Sequence, residues 1–308
     1  MCTYNGERFL REQLDSLVNQ TYPVYELIIQ DDRSTDSTIS ILKEYKLKYS
    51  SINIQIYVNS QQLGFNRNFL HAYQKATGDL IASCDQDDIW DLSKIETLVN
   101  EMAGYTFIFH NSVMFNESKE WGPLFSKNIG EYTHPIVSLF IPRSLGHQLM
   151  FEREVLTLLK LFECYDLSYD YLLNTLCGCF GRIKYINKPL VRWRRHRTAS
   201  TYLDKSGSNN KIYGYYKAIC SLFSHSNRET TQKYFVLYAQ LEFPHKEINE
   251  LIKYMGEGSF VGIIKSCMIC VKFRKLLVNN RSNVIQVIRS FFIPLFFIRD
   301  YGCYILKV

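Results

Sequence analysis

Residues 78–90 read GDLIASCDQDDIW, and this stretch decides the fold. Its first part, 79–84, is a short apolar run typical of a buried strand, and it ends abruptly in the carboxylates of Asp85, Asp87 and Asp88. Carboxylates this close repel one another and raise each other's pKa. A fold accommodates them when a positive charge lies beside them, and a divalent metal ion is the obvious candidate.

Strands and helices alternate on either side of this stretch. A second apolar run, 26–30, ends in the same way, in Asp31 and Asp32. The apolar periodicity predicts strands over 26–30, 52–58, 79–84 and 106–110, and helices over 7–18, 36–45, 66–76 and 93–102. This alternation indicates an α/β fold with a mostly parallel central sheet flanked by helices. Ligands of such sheets bind beyond the carboxyl ends of the strands, where both acidic groups lie, so we expect one shared site.

The rest of the chain is predicted to complete this domain and then to become helical. The pattern predicts strands over 148–151, 183–187 and 190–193, a helix over 170–179, and helices from about residue 210. A doubly wound sheet has a central strand just before the position of Thr3, where this chain begins, so we expect the first strand to be missing. We therefore predict a domain over 1–205, with halves at about 1–110 and 111–205, and a helical region over 206–308.

The net charge of +6 is concentrated toward the C-terminal end. Residues 258–308 contain eight lysines and arginines against the single acid Asp300. A basic, apolar segment indicates a membrane-surface element rather than a nucleic-acid arm, and we expect no nucleic-acid partner. Residues 291–298, FFIPLFFI, are too short to span a bilayer, and either docking on a membrane or packing in a helical core would explain them.

Two acidic pairs have the chemistry of a nucleotide site, and each has a simpler alternative. Asp31 and Asp32 suit a pyrimidine or a ribose hydroxyl, but a helix-capping turn uses the same residue types. Asp85 and Asp87 offer hard oxygen ligands to Mg²⁺ or Mn²⁺, which would neutralise a diphosphate, but a solvated acidic turn is the alternative.

Three further segments are candidates of the same kind. Arg67 follows a glycine in NSQQLGFNRNF (59–69) and suits a nucleotide contact, or its segment is an ordinary loop before a helix. Asp170 suits a general base, or it is a helix N-terminal acid that the helix dipole favours. The cluster RWRRHR (192–197) suits a diphosphate, or it is a solvated basic loop.

Four stretches together resemble family 2 of the inverting glycosyltransferases: CTYNGERFLREQLDSLVNQTYPVYELIIQDDRSTDST (2–38), LGFNRNF (63–69), DQDDIW (85–90) and PLVRWRRH (189–196). Within the family they are most similar to bacterial rhamnosyltransferase-type enzymes of polysaccharide assembly. The resemblance extends from Cys2 to about Ser200, and the combination is specific although each motif alone is not. It implies the GT-A fold of nucleotide-diphospho-sugar transferases and a metal-dependent single displacement at the anomeric carbon.

The resemblance also implies a role for each site residue. On the nucleotide-sugar side these are Thr3 and Tyr4 at the nucleotide edge, Asp32 on the base with Asp31 beside it, Arg67, and Arg194 and His196 in a segment that closes over the diphosphate. Asp87 would be the main metal ligand, with Asp85 on the metal or the ribose. Asp170 would be the catalytic base, and His147 and Gln148 would line the acceptor side. Arg195 and Arg197 depart from the family's usual small or polar residues.

The resemblance thus implies an inverting transferase that moves a sugar, which we expect to be rhamnose from dTDP-rhamnose, to a lipid-linked glycan in surface polysaccharide synthesis. A UDP-hexose donor is the alternative within the family. A metal-dependent nucleotidyltransferase or phosphotransferase, and a truncated, inactive remnant that only binds, are the alternatives outside it. The odd number of cysteines, nine, indicates reduced thiols, so we expect a cytoplasmic protein, peripheral on the inner face of the bacterial inner membrane.

Overall fold

The computed structural model describes residues 1–125, 134–141, 144–162, 168–181, 183–196 and 211–301. In chain order its strands and helices are β1 (Cys2–Thr3), α1 (Glu7–Val18), β2 (Glu26–Asp31), α2 (Thr38–Lys48), β3 (Asn53–Val58), α3 (Phe65–Gln74), β4 (Leu80–Ala82), β5 (Ile89–Trp90), α4 (Lys94–Glu101), β6 (Phe107–Phe115), β7 (Glu120–Pro123), α5 (Pro135–Phe140), β8 (Leu149–Glu152), α6 (Leu156–Leu159), α7 (Tyr169–Phe180), β9 (Ile183–Arg194), α8 (Lys211–Ser221), α9 (His225–Tyr238), α10 (Lys246–Glu257), α11 (Phe260–Lys272), α12 (Arg274–Leu277) and α13 (Asn283–Tyr301).

The chain divides into two compact units. The first comprises Met1–Glu131, Ser144–Glu163 and Arg182–Asp204, and the second comprises Tyr132–Arg143, Cys164–Gly181 and Lys205–Val308. The predicted division into 1–205 and 206–308 stays a prediction. The second unit also takes two segments from within the predicted first domain, and one of them contains α7 with Asp170.

The first unit opens with a parallel sheet in the order β1-β2-β3. Helix α1 places Leu10, Leu14 and Leu17 on one face at helical spacing, and these side chains pack with Leu27 and Ile29 of β2 in a buried core. The predicted strands and helices of this region are confirmed, with ends that differ by a few residues.

The predicted absence of a first strand is corrected by β1. Cys2 and Thr3 pair in parallel with Gln30 and Asp31, and the Thr3 carbonyl accepts from the Asp32 backbone N–H at 2.8 Å. The amine of Met1 donates to the Ile28 carbonyl at 2.7 Å. A strand of two residues is too short to produce a periodic pattern, so the sequence could not reveal it.

The second sheet of this unit is mixed, which corrects the prediction of a mostly parallel sheet. Its order is β4-β8-β6-β9-β5, with β7 paired to β6. Only β6 and β9 run parallel, whereas β8 is antiparallel to β4 and β6, and β5 is antiparallel to β9. The strands β8 and β9 follow β4, β5 and β6 in the chain but lie between them in the sheet, an arrangement that local patterns do not contain.

The second unit is helical as predicted. Its core contains Tyr234, Phe235 and Phe297, whose rings pack on one another, and Phe140 of α5 packs against Phe235 and Phe297. Residues 291–298 lie within α13, and Leu295, Phe297 and Ile298 are buried there, so of the two alternatives for this apolar segment the structure favours packing in a helical core. Among the described helices, none is long and apolar enough to cross a bilayer.

Candidate active site

The three aspartates of the acidic loop, residues 83–88 between β4 and β5, have different environments. Asp88 is fully buried, and its Oδ1 accepts from the backbone N–H of Arg194 at 2.9 Å. Its Oδ2 is buried with no hydrogen-bond partner among the described residues. Burial raises the pKa of Asp88 well above its usual value, and the charges of Asp87 and Asp85 raise it further.

Asp88 belongs to a cluster that fits a metal ion. Among the described residues, Asp85, Asp88 and His147 each offer a ligand atom, and these atoms lie within 4.8 Å of one another. Two carboxylates and one imidazole suit Mn²⁺, which accepts both oxygen and nitrogen ligands. A cation there would also offset the negative charge that makes this buried carboxylate costly.

Asp87, the predicted main metal ligand, is not in this cluster. Its Oδ2 is 2.8 Å from Nε2 of His196, and both side chains are about one-fifth exposed. The ring of His196 also packs against Phe9 of α1, with centroids 5.0 Å apart. The structure therefore brings together Asp87 and His196, two predicted site residues, at the rim of the buried cluster. Arg197 lies outside the described residues.

Arg194 joins the acidic loop to both β9 and α1. Its Nε donates to the Asp87 carbonyl at 2.7 Å, and its Nη2 donates to Oε2 of Glu12 at 2.8 Å. The guanidinium lies over the rings of Phe9 and Phe115, 4.4 and 4.5 Å from their centroids. Because the side chain is almost fully buried, we infer that these donors hold the loop in place.

His147 and Gln148, the predicted acceptor-side residues, share one partner. The hydroxyl of Ser112 lies 2.8 Å from His147 Nε2 and accepts from Gln148 Nε2 at 3.0 Å. The imidazole stacks on Trp193, at 5.0 Å between centroids. Burial, with the nearby charges of Lys94 and Arg195, holds the pKa of His147 well below its usual value. The imidazole is therefore neutral, which is the form that binds metals.

Lys94 is a member of this site that sequence reasoning missed. The side chain is fully buried, and its Nζ donates to the His147 carbonyl at 2.9 Å and lies 3.4 Å from the centroid of the Trp90 ring. Burial lowers the pKa of Lys94 to about 7, although Cys84, Asp88 and Asp85 favour its charged form. A lysine in the first turn of a helix is unremarkable in sequence, so no local pattern distinguishes it.

Asp31 and Asp32 are both engaged by the surrounding loops. Asp31 accepts from the hydroxyl of Thr3 at 2.7 Å and from the backbone and hydroxyl of Ser34. Asp32 accepts from Asn59 Nδ2 and from the backbone N–H groups of residues 63 and 64, all within 2.8 Å. These contacts favour the turn-forming role for both residues, and their contact with a nucleotide stays a prediction.

Gln86 ties the acidic loop to the loop after β1, and it too was missed. Its Oε1 accepts from the backbone N–H of Tyr4 at 2.9 Å, and its Nε2 donates to the Tyr4 carbonyl at 3.0 Å. The side chain passes so close to Gly6 that a Cβ there would lie 2.3 Å from Oε1. The ring of Tyr4 itself is exposed.

Gly6→Ala is expected to displace the Gln86 side chain and to lower the free energy of unfolding by about 1–2 kcal/mol, the value of its two hydrogen bonds. Chemical denaturation of both proteins measures this difference. In the Gln86→Ala background, Gly6→Ala should leave the free energy of unfolding almost unchanged, because the side chain with which the new methyl group clashes is absent. An equal loss of unfolding free energy in both backgrounds would show that the contact with Gln86 is not the reason for glycine at position 6.

The two remaining predicted residues lie on helices. Arg67 is exposed in the first turn of α3, beside Gly64 at the N-terminus of that helix. Asp170 is half-buried in the first turn of α7, where its Oδ1 accepts from the Ser168 hydroxyl and from the Tyr171 backbone N–H at 2.8 Å. An N-terminal helix acid makes the same contacts, so the role of Asp170 as a base stays a prediction.

Comparisons with known proteins agree with the resemblance. The chain is 25% identical to "dTDP-rhamnosyl transferase RfbG" of Shigella flexneri over 90% of this chain and 93% of that protein. It is 24% identical to "Putative teichuronic acid biosynthesis glycosyltransferase TuaG" of Bacillus subtilis, over 79% and 87% of the two chains. The crystal structure of S. aureus TarS 1-349 in complex with UDP-GlcNAc superposes with a TM-score of 0.59 at 15% identity, covering 97% of this chain and 89% of that one.

The likeness to TarS shows that the fold is the GT-A fold. The sequence profile described as "Glycosyl transferase family 2" matches residues 1–157, half of the 308 residues. The match covers β1 through β8, with the acidic loop, His147 and Gln148, and it supports a glycosyltransferase rather than the nucleotidyltransferase or phosphotransferase alternative. The chain belongs to glycosyl transferase family 2.

Proposed function

We propose that this chain is an inverting, metal-dependent glycosyltransferase that transfers rhamnose from dTDP-rhamnose to a lipid-linked glycan in surface polysaccharide synthesis. The observation that carries the proposal is the buried cluster of Asp85, Asp88 and His147, with its unpartnered carboxylate oxygen, in a member of family 2. The similarity to RfbG along nearly the whole chain supports rhamnose as the sugar.

The cluster has the chemistry to hold Mn²⁺ or Mg²⁺ through Asp85, Asp88 and His147. Bound there, the cation would neutralise the charge of the leaving nucleoside diphosphate. The chain's own residues would keep the ligands in place. Lys94 anchors the His147 backbone, and Arg194 fixes Asp88 through its backbone N–H. In metal sites the ligands are commonly oriented by hydrogen bonds from neighbouring residues that do not themselves bind the metal.

Transfer itself would require only one proton acceptor. Asp170 would remove the proton of the acceptor hydroxyl as that oxygen forms a bond to the anomeric carbon. The bond from that carbon to the diphosphate oxygen breaks on the opposite face, and the electron pair leaves with the nucleoside diphosphate. One displacement of this kind inverts the anomeric configuration. Tyr4, exposed beside the acidic loop, and Arg67 are the side chains that we propose contact the nucleotide.

A UDP-hexose is the second candidate donor. TarS, whose structure covers 97% of this chain, was crystallised with UDP-GlcNAc, which supports a uridine nucleotide. The two donors differ in the transferred sugar, in one methyl group of the base, and in the 2′-hydroxyl that the ribose of UDP has and the deoxyribose of dTDP lacks.

A panel of activated sugars tests the proposal. The purified chain with Mn²⁺ is expected to release nucleoside diphosphate from dTDP-rhamnose, more slowly from the UDP-hexoses, and from none of them in excess EDTA. Asp91→Asn should release nucleoside diphosphate at the wild-type rate. Asp91 lies three residues beyond the acidic loop, and among the described residues its carboxylate accepts only from the backbone and hydroxyl of Ser93. Release from a UDP-hexose alone would identify that UDP-hexose as the donor in place of dTDP-rhamnose. Donor binding without any release, with or without a glycan acceptor, would indicate an inactive binding protein.

A further inference from the structure

Helix α8 carries an apolar stripe on its solvent-facing side. The stripe consists of Ile212, Tyr216 and Ile219 and continues into Phe223, just after the helix. Successive members are separated by four, three and four residues, which places them on one helical face. All four are exposed, and Ile212 and Phe223 are 81% and 76% exposed. Large apolar side chains this exposed and this aligned mark a surface that binds something.

The opposite face of α8 fixes the orientation of the helix. Ala218 and Leu222 are buried, and the ring of Tyr215 packs against Phe292 and Phe296 of α13 at 4.8 and 5.1 Å. Nη1 of Arg299 donates to the Gly214 carbonyl at 2.7 Å. Because these contacts lock the helix onto its own unit, the α8 stripe cannot turn inward to bury itself.

The charged residues of the segment that carries the α8 stripe have one sign. Residues 211–223 include Lys211 and Lys217 and no aspartate or glutamate. The Nζ of Lys217 lies 4.7 Å from the centroid of the Tyr213 ring, which is exposed as well. A lysine that extends over a tyrosine beside an apolar stripe is the arrangement of helices that lie in the interface of an anionic bilayer.

We propose that α8 docks this protein on an anionic lipid surface, with the α8 stripe inserted among the acyl chains and the lysines against the headgroups. The charge pattern decides against a second copy of the chain, because two such helices would bring their Lys217 side chains together, with no acid in residues 211–223 to pair with them. The docking surface is thus α8, and not the buried segment 291–298. The proposal adds the contact surface to the membrane association expected for a lipid-linked acceptor, and it is independent of whether sugar is transferred.

Vesicle flotation of the full chain tests the proposal. With phosphatidylcholine vesicles containing about 30% phosphatidylglycerol, the wild type is expected to float, and with pure phosphatidylcholine much less of it should float. Ile212→Ser/Phe223→Ser should lower the partition coefficient by at least about tenfold. Lys217→Ala should lower it severalfold, and only on the anionic vesicles. Tyr25→Ser/Leu47→Ser is the matched control in the first unit, because Leu47 and Tyr25 are 81% and 73% exposed.

Two outcomes would overturn the proposal. One is equal flotation of the wild type and the stripe variant, which would place any lipid contact elsewhere. The other is a wild type that does not float but sediments as a dimer, with the dimer lost in the stripe variant. Nucleoside diphosphate release from a water-soluble donor, without vesicles, should be the same in the wild type and both double variants. A failure of flotation is therefore distinguishable from a failure of catalysis.

Discussion

Asp170→Asn is expected to slow sugar transfer by about 10²–10⁴-fold, the usual contribution of a general base. The amide keeps the shape of the side chain, and its oxygen can still accept from the Ser168 hydroxyl and the Tyr171 backbone. It cannot take the proton of an acceptor hydroxyl. Initial rates of glycan extension at saturating donor measure the effect, and the dissociation constant of the donor should change little.

The control for this prediction separates a base from a helix cap. If Asp170 only stabilises the N-terminus of α7, then Asp170→Asn should lower the free energy of unfolding by about 0.3–1 kcal/mol, because the charge near the helix dipole is lost, and leave the rate at saturating substrate nearly unchanged. Asp170→Ser, which retains a capping side chain but not the carboxylate, should behave like Asp170→Asn if the base is required. Full activity in either variant would contradict the proposed role.

Asp88→Asn is expected to weaken Mn²⁺ binding by more than about tenfold, because it replaces a charged ligand of the cluster by a neutral amide. Asp87→Asn should have a smaller effect, since the Asp87 carboxylate pairs with His196 outside the cluster. Titration of the free Mn²⁺ signal by electron paramagnetic resonance gives both affinities without any need for turnover. Spin-echo modulation from a bound nitrogen should be present in the wild type and absent in His147→Ala.

The opposite order of effects on Mn²⁺ affinity would support the metal ligands predicted from the sequence. If Asp87→Asn removes Mn²⁺ binding and Asp88→Asn does not, Asp87 is the metal ligand and Asp88 is a buried structural acid. Asp88→Asn retains an oxygen that can accept from the Arg194 backbone, so its thermal unfolding shows whether the site is intact. Asp91→Asn again serves as the control of matched chemistry.

The sequence predicted β2, β3, β4 and β6 because each lies in an apolar run of five or more residues bounded by turns, and it missed β5, which has only two residues. It placed the two ends of β9 correctly but divided the strand in two. The register of β9 against β6 shifts where Asn111 faces Pro189, so the apolar pattern is interrupted although the strand is continuous. The two residues of β1 are too few to show a periodic pattern of apolar side chains.

The candidate site was predicted in outline and not in detail. Three aspartates within four residues show that the loop is special, but not which one is buried. That choice depends on the backbone of Arg194, and the environment of His147 depends on Lys94 and Trp193. These partners are 46 to 106 residues away in sequence, so only the tertiary structure brings them together.

The 106 residues that separate Asp88 from Arg194 have a consequence for how the protein is made. During synthesis β4, β5 and the acidic loop leave the ribosome long before β9, which must enter between β6 and β5. Until then both strands present open edges, the condition in which nascent chains aggregate or recruit chaperones. A fragment ending at residue 157, where the family match ends, would include all three aspartates but not the strand that buries Asp88. We therefore expect the acidic loop to close only after β9 has been synthesised.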